Sequence, residues 1–550
     1  MLVSISRGLF SILFLFALSS RANASTEAAD IQTIHQLLDA VWVIVAAALV
    51  MLMQVGFLLL EAGMVRSKNS INVAMKNVMD FAVSTLAFAF VGYMFAFGVT
   101  GPLFTGWDSD LFGLRNVNSE GLIFFVFQAM FCGTAATIVS GGVAERMRLS
   151  AYTLGSLAIG ALIYPVFVHW SWGSALQDNS GAFLGNMGFI DFAGSTVVHA
   201  TGGWLTLAAC LILGVRRGRF NIDGQPIRFS GHSAVLAATG AILLYIGWIG
   251  FNGGSTTRAD MTIGSIIAMT LLAGSAGTAI GYVWTMLRDR TVLPEKVLCG
   301  MIGGLVAVTA GCAVLDTPGS ILVGMLGALT ANVINEVVER RFRIDDAVGA
   351  IGAHAGAGIV GTLSLAFLAP AANLSMSRME QFQVQLFGVG VNFLWAFGTG
   401  LVLFYVLKKT MGIRVAESAE EWGLNESEHN TRIGIGHVEH AMDKLVRGTA
   451  DLNARLPVSA GDEAERLILT FNALLDNLQL IESERSEAVE NQRALEEAER
   501  LSALADATFE ALCLSVNGQV IDGNAALSRL LDASLDEIRG RPLAEFFADS

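Results

Sequence analysis

Charge is scarce in this 550-residue chain. Only 15% of its residues are Asp, Glu, Lys or Arg, well short of the ~25% usual in soluble domains, and mean hydropathy is +0.57. A water-soluble globule is excluded on that ground. Cysteine is scarce as well: Cys132, Cys210, Cys299, Cys312 and Cys513 show no metal-ligand spacing and four lie in apolar runs, so no disulfide framework or thiolate metal site is assigned. In their place stand 59 glycines and apolar runs that repeatedly reach the ~20 residues needed to cross a bilayer. The composition is that of a polytopic membrane protein.

The chain opens with Arg7, an apolar run from Leu9 to Leu18 and then Ala22-Asn23-Ala24. This is the pattern of a cleavable secretory signal over residues 1–24, with a short membrane anchor as the alternative. Eleven spans are expected after it, near 41–60, 79–98, 121–143, 150–168, 195–214, 232–252, 263–287, 297–315, 319–338, 349–369 and 383–407. Arg66, Lys68, Lys76, Arg146, Arg148, Arg216, Arg217, Arg219, Arg228, Arg288, Arg290, Lys296, Arg340, Arg341 and Arg343 fall in alternate loops, whereas the other loops hold only Arg115, Arg258 and Arg378. By the positive-inside rule the N-terminus is expected outside, in the periplasm, and the C-terminus inside a bacterial inner membrane.

Charge is divided unevenly along the chain. Residues 1–414 carry 23 basic and 21 acidic side chains, and residues 415–550 carry 11 and 27, so the net −14 is +2 from the apolar part and −16 from the tail. An acidic tail argues against nucleic acid as a partner. Two kinds of domain meet near residue 410.

The apolar part contains a repeat. DFAGSTVVHATGG, 191–203, and DAVGAIGAHAGAG, 346–358, each place a histidine eight residues after an aspartate, with a glycine three after the aspartate and an alanine after the histidine. Two units of five spans are inverted relative to one another because the number is odd. His199 and His354 then enter ~12 Å from opposite faces at ~1.5 Å per residue and meet near the midplane. Two neutral imidazoles supply each other with the donor and acceptor that hydrocarbon withholds. A wall of Phe, Leu, Ile and Val with two such rings and no buried carboxylate gives a bare cation no substitute for its hydration shell. It admits a small neutral hydrogen-bonding molecule. Two histidines without Asp, Glu or Cys beside them make a thin coordination sphere for a metal.

GFLLLEAGMVRSKN at 56–69, FQAMFCG at 127–133, the twin D-x7-H motifs and LYIGWIGFNGGS at 244–255 resemble the ammonium transporter (Amt/MEP/Rh) family over roughly residues 35–430. The resemblance implies an all-α fold of eleven transmembrane helices in a five-plus-five inverted repeat plus one, a homotrimer with one narrow pore per subunit, and no cofactor. It makes His199 and His354 the pore-lining pair, Phe131 and Phe251 the stacked rings at the outer mouth, and Trp172, Phe127 and Ser255 the ammonium-recruitment site supported by Asp191. An aromatic cage with a hydroxyl suits a cation. The plain alternatives are an interface-belt tryptophan, helix packing of the two phenylalanines, a loop hydroxyl and an N-cap aspartate. Trp248 is expected as core packing, and Asp346 as structural. GIRVAESAEEWGLNESEHN, 412–430, resembles the family's tail at 411–430, with Asn425 and Asn430 where the family usually has Asp and Gly. A regulator of the PII type is a further candidate partner.

Beyond the tail, residues 431–482 resemble a HAMP module. Leu452, Leu456 and Asp462-Glu463 lie in its connector, and Leu467, Phe471, Leu474, Leu478 and Ile481 form a seam at 4-3-4-3 spacing that wants a coiled-coil partner. The usual HAMP proline is missing from the first helix. Residues 483–502 read as a helical connector, and 503–550 as the first half of an α/β PAS domain with an Asn517-Gly518 hairpin. An output domain such as a histidine kinase or diguanylate cyclase is expected after Ser550. The residues present are expected to sense ammonium, and to conduct it, rather than to catalyse a reaction. A pure receptor and a plain transporter with a passive tail stay open.

Overall fold

The computed structural model describes residues 2–99, 101, 104–176, 181–431, 435–449, 451–458 and 464–547, with 2–30 and 435–437 as backbone only. Contacts divide the chain into two units, Met1–Arg432 and Ile433–Ser550.

The first unit is a helical bundle. Its long helices are α1 Leu2–Met64, α2 Ser67–Phe97, α3 Ser119–Val143, α4 Leu149–Trp172, α5 Ser195–Leu213, α6 Ala234–Gly254, α7 Thr262–Arg288, α8 Pro294–Val308, α9 Thr317–Arg340, α10 Ile351–Leu368 and α11 Arg378–Thr410. Among the described residues ten of these are long and apolar enough to cross a membrane. The eighth, α8, has 15 residues and spans only ~22 Å at 1.5 Å per residue, so the eleven expected spans appear as ten full helices and one short one. Several starts follow local chemistry. Asn118, Ser233 and Asp316 accept hydrogen bonds from the first turns of α3, α6 and α9, and Ser377 with Glu380 forms a capping box on α11.

α1 packs most extensively on α6, the first helices of the two expected repeats. Glycine sets how close they come: a Cβ on Gly240 would sit 2.3 Å from the Leu60 nitrogen. In lipid, where no hydrophobic force drives helices together, such close backbone approach supplies the packing.

At one end, hereafter the basic end, arginines that the loop pattern marked are knitted to buried carboxylates. Glu145 meets Arg66 at 2.7 Å and Arg216 at 3.1 Å, and Asp345 meets Arg216 at 2.8 Å and Arg219 at 3.3 Å. Arg146, fully buried, donates to the carbonyls of Gly142, Ala144, Gly214 and Asp345. The Phe229 ring lies under the guanidinium groups of Arg66, Arg216 and Arg219 at 4.3, 5.2 and 5.8 Å. The tail docks at this end through α12 Glu417–Trp422 and α13 Leu424–His429. Asn425 accepts from the Asn72 N–H at 3.1 Å and donates to the Ser67 carbonyl at 2.8 Å. Asn430 ends α13 with φ +49°, a left-handed conformation that Asn tolerates almost as glycine does, which accounts for the departure at that position.

In the second unit, α14 Ile435–Val446 and α15 Glu465–Ala507 share a small core of Val438, Ala464, Ile468, Phe471 and Leu475, closed by Leu452 and Leu456. Of the expected seam, Phe471 is buried in this core, Leu478 is half-buried, and Leu467, Leu474 and Ile481 are exposed along the same stripe of α15. Asp462-Glu463 lies outside the described residues. Strands β1 Cys513–Val516 and β2 Gln519–Gly523 form an antiparallel hairpin whose loop residues Asn517 and Gly518 have φ +50° and +82°, the positive pair that a tight two-residue turn demands.

Candidate pore and aromatic site

The two histidines meet. His199 and His354 stack with ring centroids 5.3 Å apart and Nδ1 atoms 3.3 Å apart, and both are buried, at 0% and 4% exposure. One Nδ1 must donate and the other accept, so the pair presents one Nε2 as an acceptor and the other as a donor. His199 Nε2 is buried without a partner among the described residues. An orphaned ring nitrogen there suits a passing hydrogen-bonding molecule.

Each histidine lies in a π-helical turn, 195–200 and 351–356. The His199 N–H bonds the Gly194 carbonyl five residues back at 3.0 Å. Such turns insert one residue per turn and re-aim side chains. The aspartates of the motif hold these starts: Asp191 accepts from the N–H groups of Gly194, Thr196 and Val197 at 3.1, 2.9 and 2.7 Å, and Asp346 accepts from Gly349 and Ile351 at 3.0 and 2.6 Å. The Asp191 carboxylate thus faces the helix start, and its carbonyl, not its carboxylate, accepts from Trp172 Nε1 at 2.8 Å. Gly194 has φ +109°, and a Cβ there would come 3.1 Å from the Trp172 ring, so both conformation and space require glycine.

The aromatic residues converge on the other side of His199. Phe131 stacks on Phe251 at 4.1 Å, meets Phe127 at 4.7 Å and reaches Trp172 edge-on at 6.2 Å. Phe251 lies 5.3 Å from His199. Ser255 donates to the Phe251 carbonyl at 2.9 Å, which leaves its oxygen lone pairs as acceptors. Gly254 beside it leaves room for the Phe127 ring, since a Cβ would lie 2.7 Å from that ring.

Two residues extend this arrangement beyond what the sequence suggested. Trp248, expected as packing, is fully buried and bonds Thr309, yet it also stacks on His199 at 5.2 Å. Glu61 overturns the expectation of a wall without a buried carboxylate. It lines, with His354, Phe57, Ile138 and Val348, a cavity of about 20 Å³ on the basic-end side of the histidines. That cavity shares Met64, Cys299 and Val348 with an open vestibule of about 460 Å³ whose rim carries Arg216, Arg228 and Lys296. The expected span stopped at residue 60, and α1 continues to Met64, so the glutamate falls inside the helix. The motif GFLLLEAGMVRSKN contained the signal.

Residues 41–432 match the Ammonium Transporter Family and residues 434–480 match the HAMP domain. The chain is 39% identical to the ammonium transporter Amt2 of Archaeoglobus fulgidus over 407 residues, covering 71% of this chain and 87% of that protein. It is 36% identical to Amt2 of Methanocaldococcus jannaschii over 428 residues, covering 74% and 96%. Among solved structures, one titled Sensor Amt Protein superposes with TM-score 0.70 and 37% identity over 72% of this chain and 99% of its own. Mep2 of Candida albicans superposes with TM-score 0.63 and 25% identity over 69% and 87%. Motifs, bundle and matches agree over the same residues, and the chain belongs to the ammonium transporter family, with a HAMP domain after its membrane part.

Proposed function

We propose that this chain is an ammonium sensor of a bacterial inner membrane that also conducts, acting as a homotrimer with its basic end in the cytoplasm. The paired imidazoles behind stacked phenylalanines carry the reading. Ammonium is drawn to Trp172, Phe127 and Ser255 by ring quadrupoles and a hydroxyl acceptor. It yields a proton there or at the histidines, because a dry apolar lumen cannot replace the ion's hydration, and ammonia passes the rings. Binding shifts the HAMP helices only if it favours one of two conformations of the membrane part. A partial PAS segment after the connector fits a chain that hands a signal onward.

The test is electrical. Purified protein on a solid-supported membrane, pulsed with ammonium, gives a transient current, and Trp172→Ala raises the ammonium concentration for half-maximal response roughly five- to thirtyfold, the loss of a cation–π contact of about 1–2 kcal/mol. A pure receptor, a reading open to a chain similar to the Sensor Amt Protein, predicts ammonium binding without sustained current. Orientation is checked by fusion after Lys409: a cytoplasmic reporter is active there and a periplasmic phosphatase is silent.

A further inference from the structure

Glu61 is a membrane-buried carboxylate that the histidine pair does not employ. It is 2% exposed and sits one turn beyond Phe57, whose ring lies 6.0 Å from the His354 ring. Glu61 and His354 face one cavity of about 20 Å³, room for one water-sized molecule. Oε2 accepts from Asn77 Nδ2 at 2.9 Å and from Ser140 Oγ. Among the described residues Oε1 accepts no hydrogen bond, and it lies against Gly141, where an added Cβ would come within 3.2 Å of it. The charged neighbours are accounted for elsewhere. Lys76 donates to Asn72 at 2.6 Å, Asp80 accepts from the Tyr152 hydroxyl at 2.5 Å, Asp346 caps the turn before α10, and Glu295 pairs with Arg228.

A carboxylate at this depth is costly and marks function by default. The tie to Asn77 and Ser140 needs only an acceptor oxygen, which an amide also offers. We propose that Glu61 is the proton-exchange and ammonium-holding station at the basic end of the pore. This rests on the conduction reading for its direction of flow. Ammonia that has passed His354 takes the proton of the Glu61 carboxyl: the nitrogen lone pair forms the N–H bond, the O–H bond breaks, and the ammonium formed is held by the carboxylate. The ammonium leaves into the vestibule. The proton shed at the aromatic site, carried across the imidazoles, restores the carboxyl, so one ammonium enters and one leaves.

The test is ammonium-induced difference infrared spectroscopy on the full chain in lipid, with currents recorded in parallel. Wild type shows a carboxyl band that changes on adding ammonium chloride. The change is absent in Glu61→Gln, kept in Glu295→Gln, and shifted in frequency in Ser140→Ala, which removes one donor to Oε2. Glu61→Gln also lowers the current at least roughly tenfold, as expected when a proton-transfer group is lost. No carboxyl change in wild type, or one that survives Glu61→Gln, overturns the proposal. If Glu61→Gln does not assemble, the Ser140→Ala shift decides. A wild type without current removes the conduction reading alone, and the infrared bands still decide whether Glu61 holds ammonium.

Discussion

Replacing His199 or His354 by alanine lowers ammonium conduction roughly ten- to hundredfold and leaves the folded oligomer intact. Each ring offers the translocating molecule a hydrogen bond where the immediate neighbours are the rings of Phe57, Trp248 and Phe251, and a polar group left unpartnered there costs about 1–3 kcal/mol. At one decade per ~1.4 kcal/mol, that is roughly five- to 150-fold, which brackets the stated range. The two substitutions are not additive, because the rings share a contact at 3.3 Å and removing either disorders its partner. The side-chain hydrogen bond of each ring is to the other ring, and their further contacts are ring packing on Trp248, Phe251 and Phe57, so the bundle does not hang on either imidazole. Size-exclusion profiles should therefore match wild type while solid-supported-membrane currents fall. Loss of the folded protein in both variants would show that the pair is structural.

Asp345→Ala destabilises the membrane part by about 3–5 kcal/mol, the usual cost of stripping one partner from a buried ion pair. The substitution leaves Arg216, 4% exposed, with Glu145 alone and removes the carboxylate that Arg219 and Arg146 also face. Burial by itself would raise the Glu145 carboxyl, but Arg216 and Arg66 outweigh it and hold the group down at about 2. Asp345 is likewise held well below the usual carboxylate range against its burial, by Arg146 and Arg216. Because the folded values lie below the unfolded ones, this stabilisation is complete at neutral pH. It is lost as pH falls from about 4.5 toward about 2 for Glu145. Thermal unfolding in detergent at pH 7 should show a lowered midpoint for Asp345→Ala, and acid should narrow the gap to wild type. Arg216→Ala combined with Asp345→Ala should cost less than the sum. A midpoint unchanged at pH 7 would mean that the network is replaced by water and contributes nothing.

What could be read before folding was local or periodic. Apolar runs, alternating basic loops and the two D-x7-H motifs each lie within a stretch of tens of residues, so spacing alone located ten long helices and brought the same two histidines into view. The aromatic residues Phe127, Phe131, Trp172 and Phe251 were named from motif resemblance, and the fold brings their rings within 4.1 to 6.2 Å of Phe131. Asp191 was expected to support the recruitment site and the helix geometry, with a plain N-cap as the alternative; its carboxylate bonds the start of α5 and its carbonyl accepts from Trp172.

What the sequence determined by itself was where the chain is apolar, which loops are basic and which short segments repeat, since lipid and water select for those properties residue by residue. Tertiary structure alone decided that Glu61 shares a cavity with His354, 293 positions later, and that Trp248 stacks on His199. It alone decided that Arg216 bridges Glu145 and Asp345. It also shortened α8 and placed the π-helical turns under both histidines. Those features depend on which helix faces meet across the bundle, a choice made by packing and by pairing buried charge, and neither leaves a periodic mark along the chain.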